Sequence, residues 1–155
     1  MSATTSNGAG SFVLLTLAAR RFALPAETVI ELVVPGSLQV FPHTTPLLLG
    51  VLVRRGQVVP VADVARVVAG PETQHRKFYL IAARRFGAAR EWCAIPVMGD
   101  CELFSAPLQS PEAGAPPYVT AVVHFGDEQV PVLDLDAVFA PSQPPVESLL
   151  VEAHP

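Results

Sequence analysis

The chain has 155 residues, 50% of them hydrophobic and only 15% charged, with 16 prolines and a formal net charge of −4. That length lets about 70% of the unfolded surface be buried, enough for one domain or two closely packed halves without a disulfide or metal staple. The acid excess and the lack of a basic run argue against nucleic acid as a ligand, and no apolar run approaches the about 18 residues of a membrane-spanning helix.

In chain order, residues 1–11 are small and polar and read as a disordered lead. Phe12 to Leu17 reads as a strand, Ala18 to Arg20 as a connection, and Phe22 to Pro25 as the next strand. Val29 to Val34 is a third strand, ended by the turn Pro35-Gly36 and a proline-punctuated loop from Phe41 to Pro46. Gly50 to Asp63 follows as strand, tight turn at Arg55-Gly56, strand and helix cap. Asp63 opens a short helix, Val64 to Ala69, stopped by Gly70-Pro71. Residues 71–77 form a polar linker. Strands are expected at Phe78 to Ala83 and Ala94 to Met98, then a long loop from Ser105 to Pro117. Tyr118 to His124 and Gln129 to Val132 pair around Gly126-Asp127, and Asp134 caps a last short helix to Ala140. Residues 141–155 are a Pro-rich tail with a further short helical pattern from Val146 to Ala153.

An internal repeat organises these pieces. Pro60-Val61-Ala62-Asp63-Val64 returns as Pro131-Val132-Leu133-Asp134-Leu135, an offset of 71 residues (131 − 60). At the same offset Ala23-Leu24-Pro25 maps onto Ala94-Ile95-Pro96, Glu31-Leu32 onto Glu102-Leu103, and Pro46 onto Pro117. We read two copies of one small β unit, a first subdomain over residues 12–70 and a second over 78–140. Short strands punctuated by Pro and Gly favour small barrels over a helical unit. A second string, Ala18-Ala19-Arg20-Arg21-Phe22, recurs as Ala82-Ala83-Arg84-Arg85-Phe86 at a different offset and is read as coincidence or similar hairpin composition. Pro96 cannot donate to a ladder, which predicts an edge or bent strand there.

Chemistry-bearing residues are sparse. Asp63 and Asp134, one from each copy, invite a carboxylate-dyad hydrolase. Each, however, precedes a helical pattern and reads as its N-cap, with Leu133 and Val138 as a hydrophobic staple around the second. His43, His75, His124 and His154 lie apart from any second ligand at metal spacing. Cys93 and Cys101 read as reduced thiols and core fillers. There is no phosphate loop and no nucleophile elbow. No catalytic, metal or cofactor site is assigned. That leaves Arg54-Arg55 at the turn. Solvated arginines there would keep a sheet edge from pairing; alternatively, one of them meets an acidic or polar group on a partner, where the guanidinium fork is favoured. Gly126-Asp127 occupies the corresponding turn of the second copy, so Pro60 and Asp63 belong to the fold and recognition is placed at Arg55.

Gly50, Val51, Arg55, Gly56, Pro60, Val61 and Asp63 stand at the places of a signature that runs Gly-Val, Arg-Gly, Pro-Val, Asp. Phe22-Ala23-Leu24-Pro25 with Val29-Ile30-Glu31 lies upstream of it, and the hairpin ending in Leu133-Asp134-Leu135 downstream. In this order and spacing, over about residues 12–140, the chain resembles the CheW-like domains, the chemotaxis coupling proteins. It departs from them where Val53-Arg54 replaces Asn-Leu and where Val64-Ala65 replaces Leu-Arg.

The resemblance implies a mainly β fold of two five-stranded SH3-like barrels with short helices around a hydrophobic junction. It also implies a non-enzymatic, cytoplasmic adaptor between chemoreceptor (methyl-accepting chemotaxis protein) signalling tips and a CheA-type histidine kinase, with any membrane association indirect, through receptors. Carried over by position, Val29, Glu31, Gly50 and Arg55 fall on the receptor-binding side and Leu38, Val40 and Leu47 on the kinase-binding side. Its rivals are a divergent accessory member that binds receptors or array components without the kinase, the Asp63/Asp134 hydrolase, and a barrel enclosing a small ligand.

Overall fold

The computed structural model describes residues 9–34, 47–69, 78–86 and 89–139. These form strands β1 (Ala9–Leu17), β2 (Arg20–Pro25), β3 (Val29–Val33), β4 (Leu48–Arg54) and β5 (Gln57–Ala62), then helix α1 (Val64–Val68). They continue with β6 (Phe78–Phe86), β7 (Ala89–Val97), β8 (Glu102–Pro107), β9 (Val119–Phe125), β10 (Glu128–Leu133) and helix α2 (Leu135–Phe139). The sequence-predicted lead and tail, and the 35–46 loop that carries Leu38 and Val40, lie wholly or mostly outside the described residues.

The strands make two five-stranded sheets, ordered β8-β1-β2-β10-β9 and β3-β6-β7-β5-β4. The repeat explains both orders. Its offset carries β1 onto β6, β2 onto β7, β3 onto β8, β4 onto β9 and β5 onto β10, and so converts one sheet into the other strand for strand. Even the parallel seams correspond: β10 meets β2 at Val132↔Ala23 and β5 meets β7 at Val61↔Ala94. The sheets therefore do not follow the division into residues 12–70 and 78–140. The first copy gives β1-β2 to one sheet and β3-β5 to the other, and the second copy gives β6-β7 and β8-β10 in the reverse sense. This exchange rests on β8, which pairs with β1 from Ala9↔Pro107 to Leu14↔Glu102, where the sequence suggested loop from Ser105 onwards.

Exchange puts β1, β2, β6 and β7 in the middle of the molecule, buried on both faces. Side chains alternate along a strand, so one face of each lines a barrel and the other lines the junction. Phe12, Leu14 and Ala23 line the first barrel with Val123, Val130 and Val132. Tyr79, Ile81 and Ala94 line the second with Leu52, Val59 and Val61. Leu15, Leu17, Phe22, Leu24, Leu80, Ile95 and Val97 turn the other way and pack with Val64, Val68, Leu135 and Val138 from the helices. Burial on both faces is why the runs FVLLTL and FYLIAA are almost continuously apolar. Each fully buried Leu, Ile or Phe contributes about 2 kcal/mol of transfer free energy. Among the described residues, packed side chains line both barrel interiors, which weighs against the small-ligand reading.

Two local expectations change. β7 is the central strand of its sheet, not an edge. Pro96 is tolerated because β5 meets β7 only at Val61↔Ala94, so the missing N–H at Pro96 costs no second ladder. The repeated pentapeptide adopts two structures. Ala18-Ala19 forms the two-residue turn between β1 and β2, with φ of 50° and 71°, whereas Ala82-Ala83 lies in the middle of β6, paired with Cys93 and Trp92. Positive φ is costly for alanine. The turn is held from outside, because Arg20 Nη1 donates to the Val68 carbonyl at the end of α1, 3.2 Å away.

Asp63 and Asp134 act alike. The Asp63 Oδ1 accepts from the Arg66 amide at 3.3 Å, and the Asp134 Oδ1 from the Asp136 amide at 3.0 Å. Their own amides donate to the Leu47 and Tyr118 carbonyls, residues again related by the repeat. Both carboxylates thus cap short helices, and Leu133 and Val138 are both buried around the second.

Candidate functional site

The two barrels close differently. In the first, the edges meet through the backbone: Gln109 and Val122 exchange amide-to-carbonyl bonds of 2.9 and 2.8 Å, beside an edge-to-face contact of Phe104 and Phe125 with ring centres 5.1 Å apart. In the second, the edge strands β3 and β4 are bridged by side chains. Arg54 Nε donates to Glu31 Oε2 at 2.7 Å and Arg54 Nη2 to Glu31 Oε1 at 3.1 Å, a fork on both carboxylate oxygens. Arg55 Nη2 donates to the same Oε1 at 3.2 Å. The Arg54 hydrogen bond, aided by the charges of Arg54 and Arg55 and opposed by desolvation, holds the Glu31 carboxyl below its ordinary 4.5.

Arg55 is placed by a hairpin turn of restricted geometry. Arg55 and Gly56 have φ of 55° and 77°, the two positive values of a type I′ turn, which matches the twist of a two-residue hairpin. Glycine takes such a position freely; an arginine there adopts a conformation worth about 1–2 kcal/mol of strain. At the equivalent turn of the second copy, Gly126-Asp127, only Gly126 has positive φ, 62°, and the strain is absent. Arg55 is the most exposed of the three charged groups, its side chain 64% accessible against 41% for Arg54 and 17% for Glu31.

Around this tip lies an apolar surface. Glu31 and Val33 turn inward along β3, so Ile30, Leu32 and Val34 turn outward, and all three are exposed. Leu52 and Arg54 turn inward along β4, so Val53 turns outward, opposite Val58 in the ladder, and both are exposed. At the offset of 71 the equivalents are Cys101, Leu103, Ser105, His124 and Gln129. Four of the five are polar or smaller, so the apolar exposure on the second barrel is not demanded by the fold. Sequence reasoning missed these five residues and the pairing of Arg54 with Glu31; a position-by-position comparison of the two copies, extended beyond the Pro-Val-Asp motif, would have found the five.

Glu31 and Arg55 meet directly. Val29 instead packs on the junction core and pairs with Ala82, and Gly50 is buried opposite Val61. Leu47 is half-buried against the junction. Leu38 and Val40 fall outside the described residues. An open groove of about 390 Å³ runs between α1, β2 and the 111–116 loop, floored by Phe22, Val119 and Pro131. Its repeat-related counterpart is lined by Cys93, Leu48 and Pro60. Among the described residues no three His, Cys, Asp or Glu side chains gather as a metal site, and no helix is long and apolar enough to cross a membrane.

Two filled barrels with capped helices and one arginine-tipped apolar face are the make-up of a binding scaffold. The chain belongs to the CheW-like domain family, whose model matches residues 11–140. Its fold is similar to that of the scaffolding protein TtCheW from Thermoanaerobacter tengcongensis, with a TM-score of 0.70 over 86% of this chain and 94% of that one, at 18% identity. No curated protein matches the chain. It is a CheW-like scaffold or adaptor of chemotaxis signalling, built on a non-enzymatic fold.

Proposed function

We propose that the protein is a cytoplasmic adaptor that couples chemoreceptor signalling tips to a CheA-type histidine kinase. Family membership supports the class of partner. The observation that carries the reading is the difference between the copies: Ile30, Leu32, Val34, Val53 and Val58 are exposed and apolar on one barrel, where the other carries Cys101, Leu103, Ser105, His124 and Gln129. An apolar face that is fuller in one copy than in the other, where of the five equivalents only Leu103 is a large exposed apolar side chain, supports a contact surface. In this reading Glu31 and Arg55 face the receptor side, Val29 and Gly50 shape the backbone behind them, and Leu38, Val40 and Leu47 serve the kinase side. Coupling follows if the adaptor favours one arrangement of the kinase and so shifts its population.

A second reading, an accessory member that binds receptors but not the kinase, is favoured by one departure: Arg54, engaged with Glu31, stands where the resembled signature has Leu. Pull-down with a receptor signalling-tip fragment and with an isolated kinase regulatory domain separates the two. The adaptor recovers both, the accessory member only the receptor fragment, and recovery of neither defeats both readings.

A further inference from the structure

We propose that residues 146–153 of the chain itself dock as a short amphipathic helix in the open groove between α1, β2 and the 111–116 loop. The segment Val146-Glu147-Ser148-Leu149-Leu150-Val151-Glu152-Ala153 lies outside the described residues and follows Phe139 after the six residues 140–145. Val146, Leu149, Leu150 and Ala153 recur at i, i+3, i+4 and i+7, which gathers them on one stripe of a helix. Glu147 and Glu152 border that stripe on its two sides. Pro145 suits the first position of a helix and Glu147 its first turn. Eight residues are fewer than the about 12–15 that a helix needs to hold together alone in water. Such a helix forms when its stripe is buried, so the pattern calls for a groove within reach.

The groove has the size and the place. It offers about 390 Å³ above a floor of Phe22, Val119 and Pro131. Its counterpart at the offset of 71 has about 140 Å³. There α2 ends in Phe139, with the Arg84 guanidinium 4.5 Å over its ring, whereas α1 ends in the smaller Val68 and leaves its groove open, although Phe22 is larger than its counterpart Cys93. Tyr118 lines the groove, and its carbonyl accepts from the Asp134 amide, 2.9 Å away, just before α2 begins. The segment leaves the fold at the other end of α2, whose residues Leu135–Phe139 rise by about 7.5 Å. Six residues reach about 20 Å, enough to return along α2 to the groove. A tether this short holds its end at an effective concentration of about a millimolar, above that of a second copy in dilute solution, so the occupant is the chain's own segment. Arg20 stands on the groove wall and gives one N–H to the Val68 carbonyl; a helix lying in the groove brings Glu147 or Glu152 to its side. Glu112, across the groove, is exposed to water. Arg20, Phe22 and Val68 come from the first copy and Tyr118, Val119 and Pro131 from the second, so the docked segment straps the two copies together.

The test uses the full chain carrying Cys93→Val, Cys101→Ser and Ala153→Cys, with a second thiol introduced by Ala113→Cys on the groove wall or by Val58→Cys on the exposed face of the other barrel. Oxidised glutathione joins the two protein thiols as a disulfide and is itself reduced to two glutathione thiols. The pair at Ala113 is expected to close within one chain about tenfold faster, or more, than the pair at Val58. Leu149→Asp should remove that advantage, and Val151→Asp, off the stripe, should keep it. Equal rates, a faster pair at Val58, or disulfide-linked dimers through Ala113→Cys overturn the proposal, the last by giving the groove to a second copy. The wild-type chain carries an independent readout should the cysteine variants not fold. Hydrogen exchange at the amides of residues 150–153 is expected to be about tenfold slower, or more, than in the unfolded chain, and to return to the unfolded rate in Leu149→Asp. Exchange at the unfolded rate in the wild type overturns the proposal as well.

Discussion

Glu31 and Arg54 sit on the two edge strands of one sheet, and their fork of 2.7 and 3.1 Å joins those edges into a barrel. The equivalent positions of the other copy are Glu102 and Phe125. There the edges are tied by the backbone exchange between Gln109 and Val122, with Phe104 against Phe125. One fold thus uses a charge-assisted side-chain bridge in one copy and amide bonds with an aromatic contact in the other.

Acid should act on the second barrel through Glu31. Its folded pKa lies below the ordinary 4.5 because Arg54, and then Arg55, favour the carboxylate. A group with a depressed folded pKa stabilises the protein above its unfolded pKa, and that contribution is lost as pH falls through the folded value. Urea midpoints followed from neutral pH down past 4.5 should therefore decline, and Glu31→Gln should remove part of the decline while lowering the neutral plateau. Parallel curves for the two proteins would show that Glu31 does not contribute to the acid limb.

Arg55→Gly should separate stability from recognition. The turn needs φ of 55° at this residue. Glycine relieves the left-handed strain but regains backbone freedom in the unfolded chain, and the net gain is about 1 kcal/mol. The ion pair that is lost is exposed and contributes little. Thermal or urea melts should show Arg55→Gly at least as stable as wild type, while binding to the partner fragment falls. A variant that is clearly less stable would mean that the Glu31 contact outweighs the strain.

Much of the architecture is legible in the sequence because the repeat is written in residues that the fold requires. Pro60/Pro131 and Asp63/Asp134 mark the same turn into the same cap, and the offset that relates them also relates whole strands and their order in the sheets. The exchange of strand pairs is not legible, because it depends on β8 finding β1 far along the chain, and no local pattern at Glu102–Pro107 states its partner. The string Ala-Ala-Arg-Arg-Phe shows the same limit: five identical residues start a hairpin turn at Ala18 and run through an interior strand at Ala82, with neighbours deciding between them. At the site, Arg55 could be singled out because the second copy lacks it. The role of Arg54 could not, because it depends on β3 and β4 meeting as edges.

The two caps give a matched pair of substitutions. Asp63 and Asp134 each accept an amide hydrogen bond in the first turn of a short helix that packs on the junction. Replacing either by Ala should cost about 1 kcal/mol, and by Asn much less, because Asn also caps. The sites stand at equivalent places, so the two alanine variants should melt at similar temperatures. Receptor-fragment binding should be preserved in both, since neither residue lies at the arginine-tipped face. A binding loss larger than the stability loss in either variant would move the contact surface towards the helices.

The cysteines report on the junction. Cys93 is 2% exposed among Ile95, Leu80 and the helices, and burial pushes its thiol up to about 12; Cys101 is half-buried and pushed up to about 11. Both stay protonated near neutral pH, and thiolate is the reactive form. In the native protein a thiol reagent at mildly alkaline pH should leave Cys93 unmodified and label Cys101 slowly, while the unfolded chain labels at both. A raised thiol pKa contributes stability that is complete below the ordinary 9.0 and is lost as pH rises towards 12. Alkaline unfolding should accordingly begin above pH 9.0 in wild type and be shallower in Cys93→Val, which keeps the site apolar. Rapid native labelling of Cys93 would show that the junction between the barrels opens far more readily than its packing implies.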